Sequence, residues 1–482
     1  MAVDTGKHIT DTRVQPTAQI PQLGQARWRL WLALAIGLVI ILGVTALMMS
    51  YQPHIKLNNG LGWDGRYYQR MTQQLLDSET IRDRPPWVNR FGSVWLAATF
   101  TKISASSIDH SYWLLNEGSA LLLILLLSWV GFRQTTKANH SRLLSQVLMV
   151  LIPLGWWSWH WLSPFRFSAF DPYNADTVAM LLLFVGILLQ DWINGHLDSP
   201  HHRTQVGLVN LFLAGVIFLG CLCREFVLAL PLALLIGHLS QGKAIRYQQI
   251  PIRLYHLAVG VMGIMAARWQ VQNTMTSNLP EAFWYHFRDM SYHLLEIRPL
   301  VFALSAWLAY GPVLIMVLIL RKPFCQVIKA SRYRLPLLLI LLILCYVGGT
   351  DSERYLFWLS PILIYWFWLV VKLEEGQNAI SRLTMAFWCL LVIGQGLASR
   401  WLMPIPEPEA TQTWPHWPVL TSFGGANPFL QLMGHHGYGL NYLYTIVLLA
   451  EYGLLIGLLL WLSRSRPDPL GLKSPPKQDL AP

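Results

Sequence analysis

Charged residues are scarce in this chain: they make up 13% of its 482 residues, against 54% that are apolar. Cysteine is scarce too, with five residues, most of them inside apolar runs and none in a CxxC pair. These few cysteines indicate neither a disulfide framework nor a metal site. No internal repeat is visible. Because the chain is so apolar, we interpret its net charge of +11 first as a signal of membrane topology. Nucleic-acid binding is a poor explanation for this charge.

Long apolar runs dominate what remains. Runs of roughly 16–23 residues recur along almost the whole chain, the length a helix needs to cross about 30 Å of hydrocarbon. A membrane β-barrel would show short alternating segments instead. The sequence thus predicts an all-α polytopic membrane protein with about 12–13 transmembrane helices. The predicted spans are 28–49, 111–132, 143–163, 174–193, 206–223, 225–240, 254–271, 297–320, 333–349, 354–372, 382–400 and 441–463, with a shorter apolar piece at 91–106.

Loop charge predicts the orientation. The first apolar run has no small-residue cleavage site after it, so we interpret it as a retained helix. If 91–106 does not cross, the basic loop RKPFCQVIKASRYR shares one face with both tails, and the positive-inside rule makes that face cytoplasmic. We expect cytoplasmic tails at 1–27 and 464–482 and a transmembrane domain at 28–463.

The predicted outer face collects the unusual polar groups of the chain. It receives a first loop at 51–110, the segments 163–176, 224–225, 272–296 and 348–354, and a late loop at 401–440. Ionisable residues at membrane depth are costly, so they need a partner or a task. We expect these loops to form the walls of one site.

Asp64 is the first acid of that face. It lies in a Trp-Asp-Gly turn, and Tyr68, Met71 and Leu75 after it are spaced along one face of a helix. This spacing predicts a juxtamembrane helix on the membrane surface. Asp64 would cap this helix, or it would take a proton from an attacking hydroxyl group, and the two roles are compatible.

Three arginines follow in the same loop. Arg82, Arg84 and Arg90 flank the Pro85–Pro86 pair, which cannot continue a helix. The guanidinium group binds phosphate oxygens in a bidentate manner. These arginines would bind a substrate phosphate, ordinary lipid phosphates, or acids in the same segment.

A second outer segment carries Asp171 and Asp176. Asp176 precedes an apolar run and is predicted to be another helix N-cap. Asp171 would assist Asp64 or hold a divalent cation, although one or two acids are too few to define a metal site.

Two further segments place charges between apolar runs. Arg224 and Glu225 would form a mutual ion pair in a tight turn, or Arg224 would face the site with Glu225 holding it. Asp351, Glu353 and Arg354 follow a Gly-Gly pair. Arg354 is the second candidate for phosphate binding, with one of the two acids orienting it.

The late loop carries His435, His436 and several aromatic residues. Two histidines alone do not make a zinc site. The aromatic side chains would stack on a sugar or anchor the loop at the membrane interface.

The order of these motifs along the chain resembles that of a known protein family. The motif W-D-G-x-Y-Y is followed by an arginine-rich segment with Pro-Pro, then by D-P-Y-N-A-D, an Arg-Glu pair and G-G-T-D-S-E-R-Y. Over roughly 28–372 this pattern resembles bacterial integral-membrane glycosyltransferases of the GT-C superfamily, of the surface-glycopolymer type. It is similar more distantly to aminoarabinose transferases and protein O-mannosyltransferases.

The resemblance implies a reaction and a set of roles. It implies a GT-C-like fold in the bacterial inner membrane and an inverting transfer of a sugar from a polyprenyl-phosphate carrier to a glycan or lipid acceptor on the outer face. Asp64 matches the essential acid. The family often has a second acid beside it, where this chain has Gly65, so the need for Mg²⁺ or Mn²⁺ stays open. The implied phosphate ligands are Arg82, Arg84, Arg90, Arg224 and Arg354, with Tyr67, Tyr68, Asp171, Asp176, Glu225, Asp351, Glu353 and His436 in support.

Two other functions stay open. An O-antigen polymerase or ligase would rely on its late loop, so His436 would matter more than Asp64. A flippase or transporter for lipid-linked sugars would carry charges at mid-membrane and show two related halves.

Overall fold

Our structure of this protein is a computed structural model. It describes residues 20–62, 64–83, 90–135, 143–173, 176–196, 200–240, 243–270, 272–273, 298–311, 313–314, 317, 320–347 and 352–373, with isolated positions at 405, 450, 453 and 457.

The described chain is almost entirely helical. Its α-helices are α1 (Ile20–Ser50), α2 (Gly65–Leu76), α3 (Phe91–Ser104), α4 (Ile108–Thr135), α5 (Leu143–Trp159), α6 (Pro164–Phe170), α7 (Asp176–His196), α8 (Arg203–Cys223), α9 (Ala229–Leu239), α10 (Lys243–Gln270), α11 (Arg298–Tyr310), α12 (Arg321–Ala330), α13 (Arg334–Val347), α14 (Ser352–Phe357) and α15 (Ser360–Lys372). Short 3₁₀ turns precede α8 and α9. Two-residue strands β1 (Arg82–Asp83) and β2 (Gln272–Asn273) pair in parallel.

Several of these helices are long and apolar enough to cross a membrane. Among the described residues there are five, at Trp28–Ser50, Ile108–Thr135, Asp176–His196, Arg203–Cys223 and Ile250–Gln270. The pair α12 and α13 would make a sixth if counted as one bent span. The protein is thus consistent with an all-α polytopic membrane protein. The predicted spans at 382–400 and 441–463 fall on residues that are largely outside the described part.

Helices α8 and α13 run opposite to α7. Arg224, directly after α8, contacts Asp176 at the start of α7. Asp191, near the end of α7, contacts Arg334 at the start of α13. We call the end of the bundle at which α7 begins the charged end. Since α7 rises about 1.5 Å per residue, Asp191 lies about 22 Å along the helix from Asp176.

The segment predicted as a short apolar piece forms helix α3. Fourteen residues make a helix about 21 Å long, less than the ~30 Å hydrocarbon thickness. Both of its ends lie near the charged end, because Arg90 before it contacts Asp64, while Thr101 donates to Ser111 near the start of α4. Both ends of this segment therefore lie at the same end of the bundle.

Helix α2 is where the sequence predicts it. Tyr68 and Met71 are buried and Leu75 is partly buried, while Arg70 and Gln73 lie on the outside. The buried face packs on α3 and α4, and Thr72 shares a hydrogen bond with Tyr112 of α4 at 2.9 Å. The helix is thus held against protein along its apolar face.

Three local features were not predicted. The segment 163–176, predicted to be an outer loop, contains helix α6, which begins at Pro164, a favourable first helical residue. The basic loop at 321–334 is helical over Arg321–Ala330 because Phe324 and Val327 bury one face. The span predicted at 354–372 breaks after Phe357 and restarts at Ser360, with Pro361 in the first turn.

The core lies where α4, α5, α7 and α15 meet. Trp156 and Trp157 of α5 and Trp366 and Trp368 of α15 are fully buried there. The indole of Trp368 donates to the carbonyl of Met149 at 3.0 Å, which joins the two helices. The glycine Gly131 allows α4 to approach the Trp368 ring, where an added Cβ would lie 2.8 Å away.

Candidate functional site: a charged cluster at one end of the bundle

Arg90 links three of the predicted site residues. Its Nη1 donates to the hydroxyl of Tyr68 at 2.9 Å and lies 3.6 Å from Oδ2 of Asp64. Its Nη2 lies 3.9 Å from Oε1 of Glu225. The Arg90 side chain is 8% exposed, whereas those of Asp64 and Glu225 are 37% and 44% exposed. A buried cation therefore holds two acids whose carboxylates still reach the surface.

Asp64 stands at the start of α2 without capping it through its side chain. Its backbone carbonyl accepts from Tyr67 N–H at 3.0 Å, which begins the helix. No side-chain hydrogen bond to the helix N-terminus is formed. Asp64 therefore occupies the predicted N-cap position, but its side chain does not cap the helix, and the residue has helical backbone angles, φ −105° and ψ −18°. The carboxylate instead faces Arg90.

Asp176 is the anion that joins two other predicted arginines. Its Oδ1 contacts Nη2 of Arg224, and its Oδ2 lies 4.0 Å from Nε of Arg354. Asp176 is 1% exposed, and the side chains of Arg224 and Arg354 are 5% and 11% exposed. It is the first residue of α7, where a negative charge also complements the helix dipole. Burial makes this pairing necessary, since an uncompensated charge would be far more costly.

Aromatic faces complete the surroundings of these two arginines. The guanidinium of Arg224 lies 5.4 Å from the ring centre of Trp358. That of Arg354 lies 5.2 Å from Phe167 and 5.5 Å from Tyr355. Cation–π contacts in a desolvated place are worth about 2 kcal/mol. These contacts could not be predicted from the sequence, because the rings come from α6, α14 and the turn after it.

Asp171 is a buried acid close to the same groups. It is 5% exposed and accepts a hydrogen bond from the backbone of Tyr173 at 3.3 Å. Burial raises the pKa of Asp171 to about 7, and the positive charge of Arg354 opposes that rise while the charges of Asp64 and Asp176 add to it. This carboxyl group is thus placed to exchange a proton near neutral pH.

A glycine allows the Asp64 turn to approach Asp171. Gly62 has φ +67°, a conformation that L side chains rarely adopt, and an added Cβ would lie 2.8 Å from Oδ2 of Asp171. The Gly62 carbonyl accepts from the Asn58 amide at 2.7 Å, which fixes the turn. The Asp64 segment and the Asp171 segment therefore depend on each other for position.

Tyr68 is within electrostatic reach of both groups of charges. Burial raises the pKa of the Tyr68 phenol, and the positive charges of Arg90 and Arg224 oppose this rise. Since Asp64 also acts on the same phenol, the Arg90 contacts and the Arg224 contacts belong to one cluster. We call Asp64, Tyr68, Arg90, Asp171, Asp176, Arg224, Glu225 and Arg354 the charged cluster.

The side chains of the other predicted site residues make contacts outside the cluster or are not described. Arg82 is exposed in β1, and its backbone N–H donates to Gln74 at 3.0 Å. Tyr67 accepts from Arg66 at 2.6 Å and packs under Arg70. Of Glu353 only the helical backbone is described. Arg84, Asp351 and His436 lie outside the described residues.

The predicted mutual ion pair between Arg224 and Glu225 is wrong. Arg224 has an extended backbone, φ −155° and ψ 130°, between α8 and the following 3₁₀ turn. Neighbouring side chains diverge in such a conformation. Arg224 therefore turns toward Asp176, and Glu225 toward Arg90.

Sequence reasoning missed a second polar group at the opposite end. Asp191 of α7 accepts from the hydroxyl of Tyr333 at 2.8 Å, from Nη2 of Arg334 at 2.8 Å and from the hydroxyl of Tyr365 at 2.7 Å. The sequence does contain a signal for this group, because Asp191 is an acid inside the predicted span 174–193. Glu117 of α4, which accepts from Ser168, gives the same signal.

Metal binding at the cluster was left open by the sequence. Within the part of the chain that the structure describes, no group of three or more His, Cys, Asp or Glu side chains is arranged to hold a metal ion.

These observations show a helical protein with several apolar segments that could span a membrane. No protein-family model, curated protein or solved structure matches the chain.

Proposed function

We propose that the chain is a membrane glycosyltransferase of the GT-C type that takes a sugar from a polyprenyl-phosphate carrier. The observation that carries the proposal is the charged cluster itself. It combines a half-exposed carboxylate, Asp64, with three largely buried arginines, Arg90, Arg224 and Arg354. The first loop contributes Asp64 and Arg90, and two more distant segments contribute Arg224 and Arg354. Apolar helices beside them offer a surface for a prenyl tail.

The proposed orientation follows from charge. The segment 321–334, with five Lys or Arg residues and no acid, lies at the end opposite the cluster. By the positive-inside rule that end faces the cytoplasm, so the cluster would face the outside of the bacterial inner membrane. The acceptor would then be a glycan or lipid available on that side.

Asp64 would act as the general base. It would take the proton of an acceptor hydroxyl as the hydroxyl oxygen attacks the anomeric carbon of the donor sugar. The bond from that carbon to the phosphate oxygen breaks on the opposite face, so the configuration inverts. The electron pair leaves with the polyprenyl phosphate. Arg90 would support the base by positioning it, because its Nη1 lies 3.6 Å from Oδ2 of Asp64.

The arginines would stabilise the leaving phosphate. Its negative charge grows in the transition state, and preorganised cations act most strongly where water is excluded. Arg224 and Arg354 would share this role, since both lie against Asp176, Arg224 in direct contact and Arg354 with its Nε 4.0 Å from Oδ2. Asp176 would hold both cations in position.

The test measures release of polyprenyl phosphate by the purified protein in lipid nanodiscs. A panel of decaprenyl-phosphate sugars labelled with ³²P serves as donor, and an inner-membrane glycolipid extract as acceptor. We expect the wild type to release labelled decaprenyl phosphate from at least one donor, and Asp64→Asn to abolish release. Asp77→Asn, an exposed acid at the other end of α2, is the matched control and should keep full activity.

The outcomes separate the proposal from its alternatives. Binding of donors without any release by the wild type would favour a transporter. Full release by Asp64→Asn, with His436→Ala inactive, would favour a polymerase or ligase that works through the late loop.

A further inference from the structure

A second charged surface lies at the opposite end of the molecule, on α12. Its exposed residues include Arg321, Lys322 and Lys329, while Phe324 and Val327 are buried against the protein. Phe324 packs edge-on against Trp366 of α15. The helix therefore keeps one fixed face toward the bundle and presents its cations outward.

The direction of α12 places those cations along a membrane surface. The axes of α12 and α13 differ by 105° across a break of three residues. Helix α13 exposes Leu335, Leu339 and Ile343, spaced four residues apart along one face, as a helix facing lipid hydrocarbon does. If α13 enters the bilayer with this face toward lipid, α12 at nearly a right angle to it lies in the plane of the head groups.

Hydrogen bonds to one carboxylate stabilise the bend between α12 and α13. Asp191 of α7 accepts hydrogen bonds from Tyr333, Arg334 and Tyr365, so three helices meet at one carboxylate. Arg334 also donates to the carbonyl of Val327 in the last turns of α12, at 2.7 Å. The orientation of α12 is thus fixed by the fold, and its cationic face is preformed.

We propose that α12 is a docking surface for anionic phospholipid head groups. The segment 321–334 contains five Lys or Arg residues and no Asp or Glu, so its charge complements that of an anionic membrane surface. Each cation near such a surface strengthens binding about fivefold, so three together give roughly a hundredfold. The surface does not depend on the reaction at the charged end.

The experiment reads lipid binding at α12 directly. Cys325 is exposed on α12, whereas Cys221, Cys223 and Cys345 are buried. An environment-sensitive dye is attached at Cys325 in a Cys389→Ser background. The purified protein in neutral detergent is then titrated with phosphatidylglycerol or with phosphatidylcholine, which carries a phosphate but no net charge.

We expect saturable binding of phosphatidylglycerol and at least tenfold weaker binding of phosphatidylcholine. The triple variant Arg321→Gln, Lys322→Gln, Lys329→Gln should bind phosphatidylglycerol at least tenfold more weakly. The matched triple variant Arg321→Lys, Lys322→Arg, Lys329→Arg keeps the charge and should bind as the wild type does. An unchanged thermal midpoint of all three proteins shows that the fold is intact.

Two results would overturn the proposal. One is equal binding of the two lipids, which would show a general apolar interaction. The other is a Gln triple variant that binds phosphatidylglycerol as tightly as the wild type does. A dye response to soluble polyglutamate, with none to phosphatidylglycerol, would reassign the surface to an acidic protein partner.

Discussion

The contact between Asp176 and Arg224 makes the sharpest prediction about stability. Both side chains are at most 5% exposed, and their contact is direct. Removing one partner of a buried ion pair leaves the other charge without compensation, which costs about 3–5 kcal/mol. We expect Asp176→Asn to lower the free energy of unfolding by an amount in this range. Arg354, which also faces Asp176, adds to the loss.

A double-mutant cycle isolates the pair. Asp176→Asn, Arg224→Gln and the double variant are unfolded reversibly in mixed detergent micelles, and the free energies are compared. The double variant should be less destabilised than the sum of the single ones by about 2–3 kcal/mol, because the second change removes the charge that the first left unpaired. Asp64→Asn is the control: Asp64 is 37% exposed and 3.6 Å from its partner, so it should cost less than about 1 kcal/mol.

Additive losses, within about 0.5 kcal/mol, would refute this reasoning. They would mean that Arg224 does not depend on Asp176 for its charge balance. The arrangement of the charged cluster would then need another anion, and the role of Asp176 as the residue that holds the two arginines would be lost.

Two further predictions concern the Asp64–Asp171 side of the cluster. Gly62→Ala should destabilise the protein by at least about 1 kcal/mol more than Gly60→Ala in the same unfolding assay. Both glycines have positive φ, but only Gly62 lies against Asp171. Equal losses of stability in the two variants would contradict the close approach of Gly62 to Asp171. Asp171 has a folded pKa of about 7, raised from its ordinary 3.8, so its contribution to stability is full below pH 4 and is lost as pH rises through 7. Asp171→Asn should remove that loss, so its stability relative to the wild type should rise between pH 4 and pH 8, and parallel stability curves would refute the assignment.

The sequence predicted the long helices well for a simple physical reason. The apolar runs at 28–49, 111–132, 174–193, 206–223 and 254–271 are too long to form anything but helices that bury their backbone groups. Their bounds differ from those in the structure by only a few residues. For the candidate site, the sequence predicted only that charged segments meet at one end of the helix bundle.

The breaks within predicted helices and the partners of the ion pairs could not be predicted from the sequence. Gly311, with φ +46°, follows the end of α11 inside what looked like one continuous span at 297–320. Which acid meets which arginine depends on how side chains turn at the helix ends. Neighbours in sequence, such as Arg224 and Glu225, separate there, while Asp176 and Arg224 come together across 48 positions. Pattern alone carries no information about such long-range pairing.

The balance of formal charge in the cluster has a consequence of its own. Among the described residues it holds three cations, Arg90, Arg224 and Arg354, and four acids, Asp64, Asp171, Asp176 and Glu225. With one proton on Asp171 the set is electroneutral before anything binds. A phosphate entering this end would bring excess negative charge, and uptake of a proton there would restore the balance. Under the proposed function, donor binding should then proceed more readily in mildly acidic surroundings than in alkaline ones.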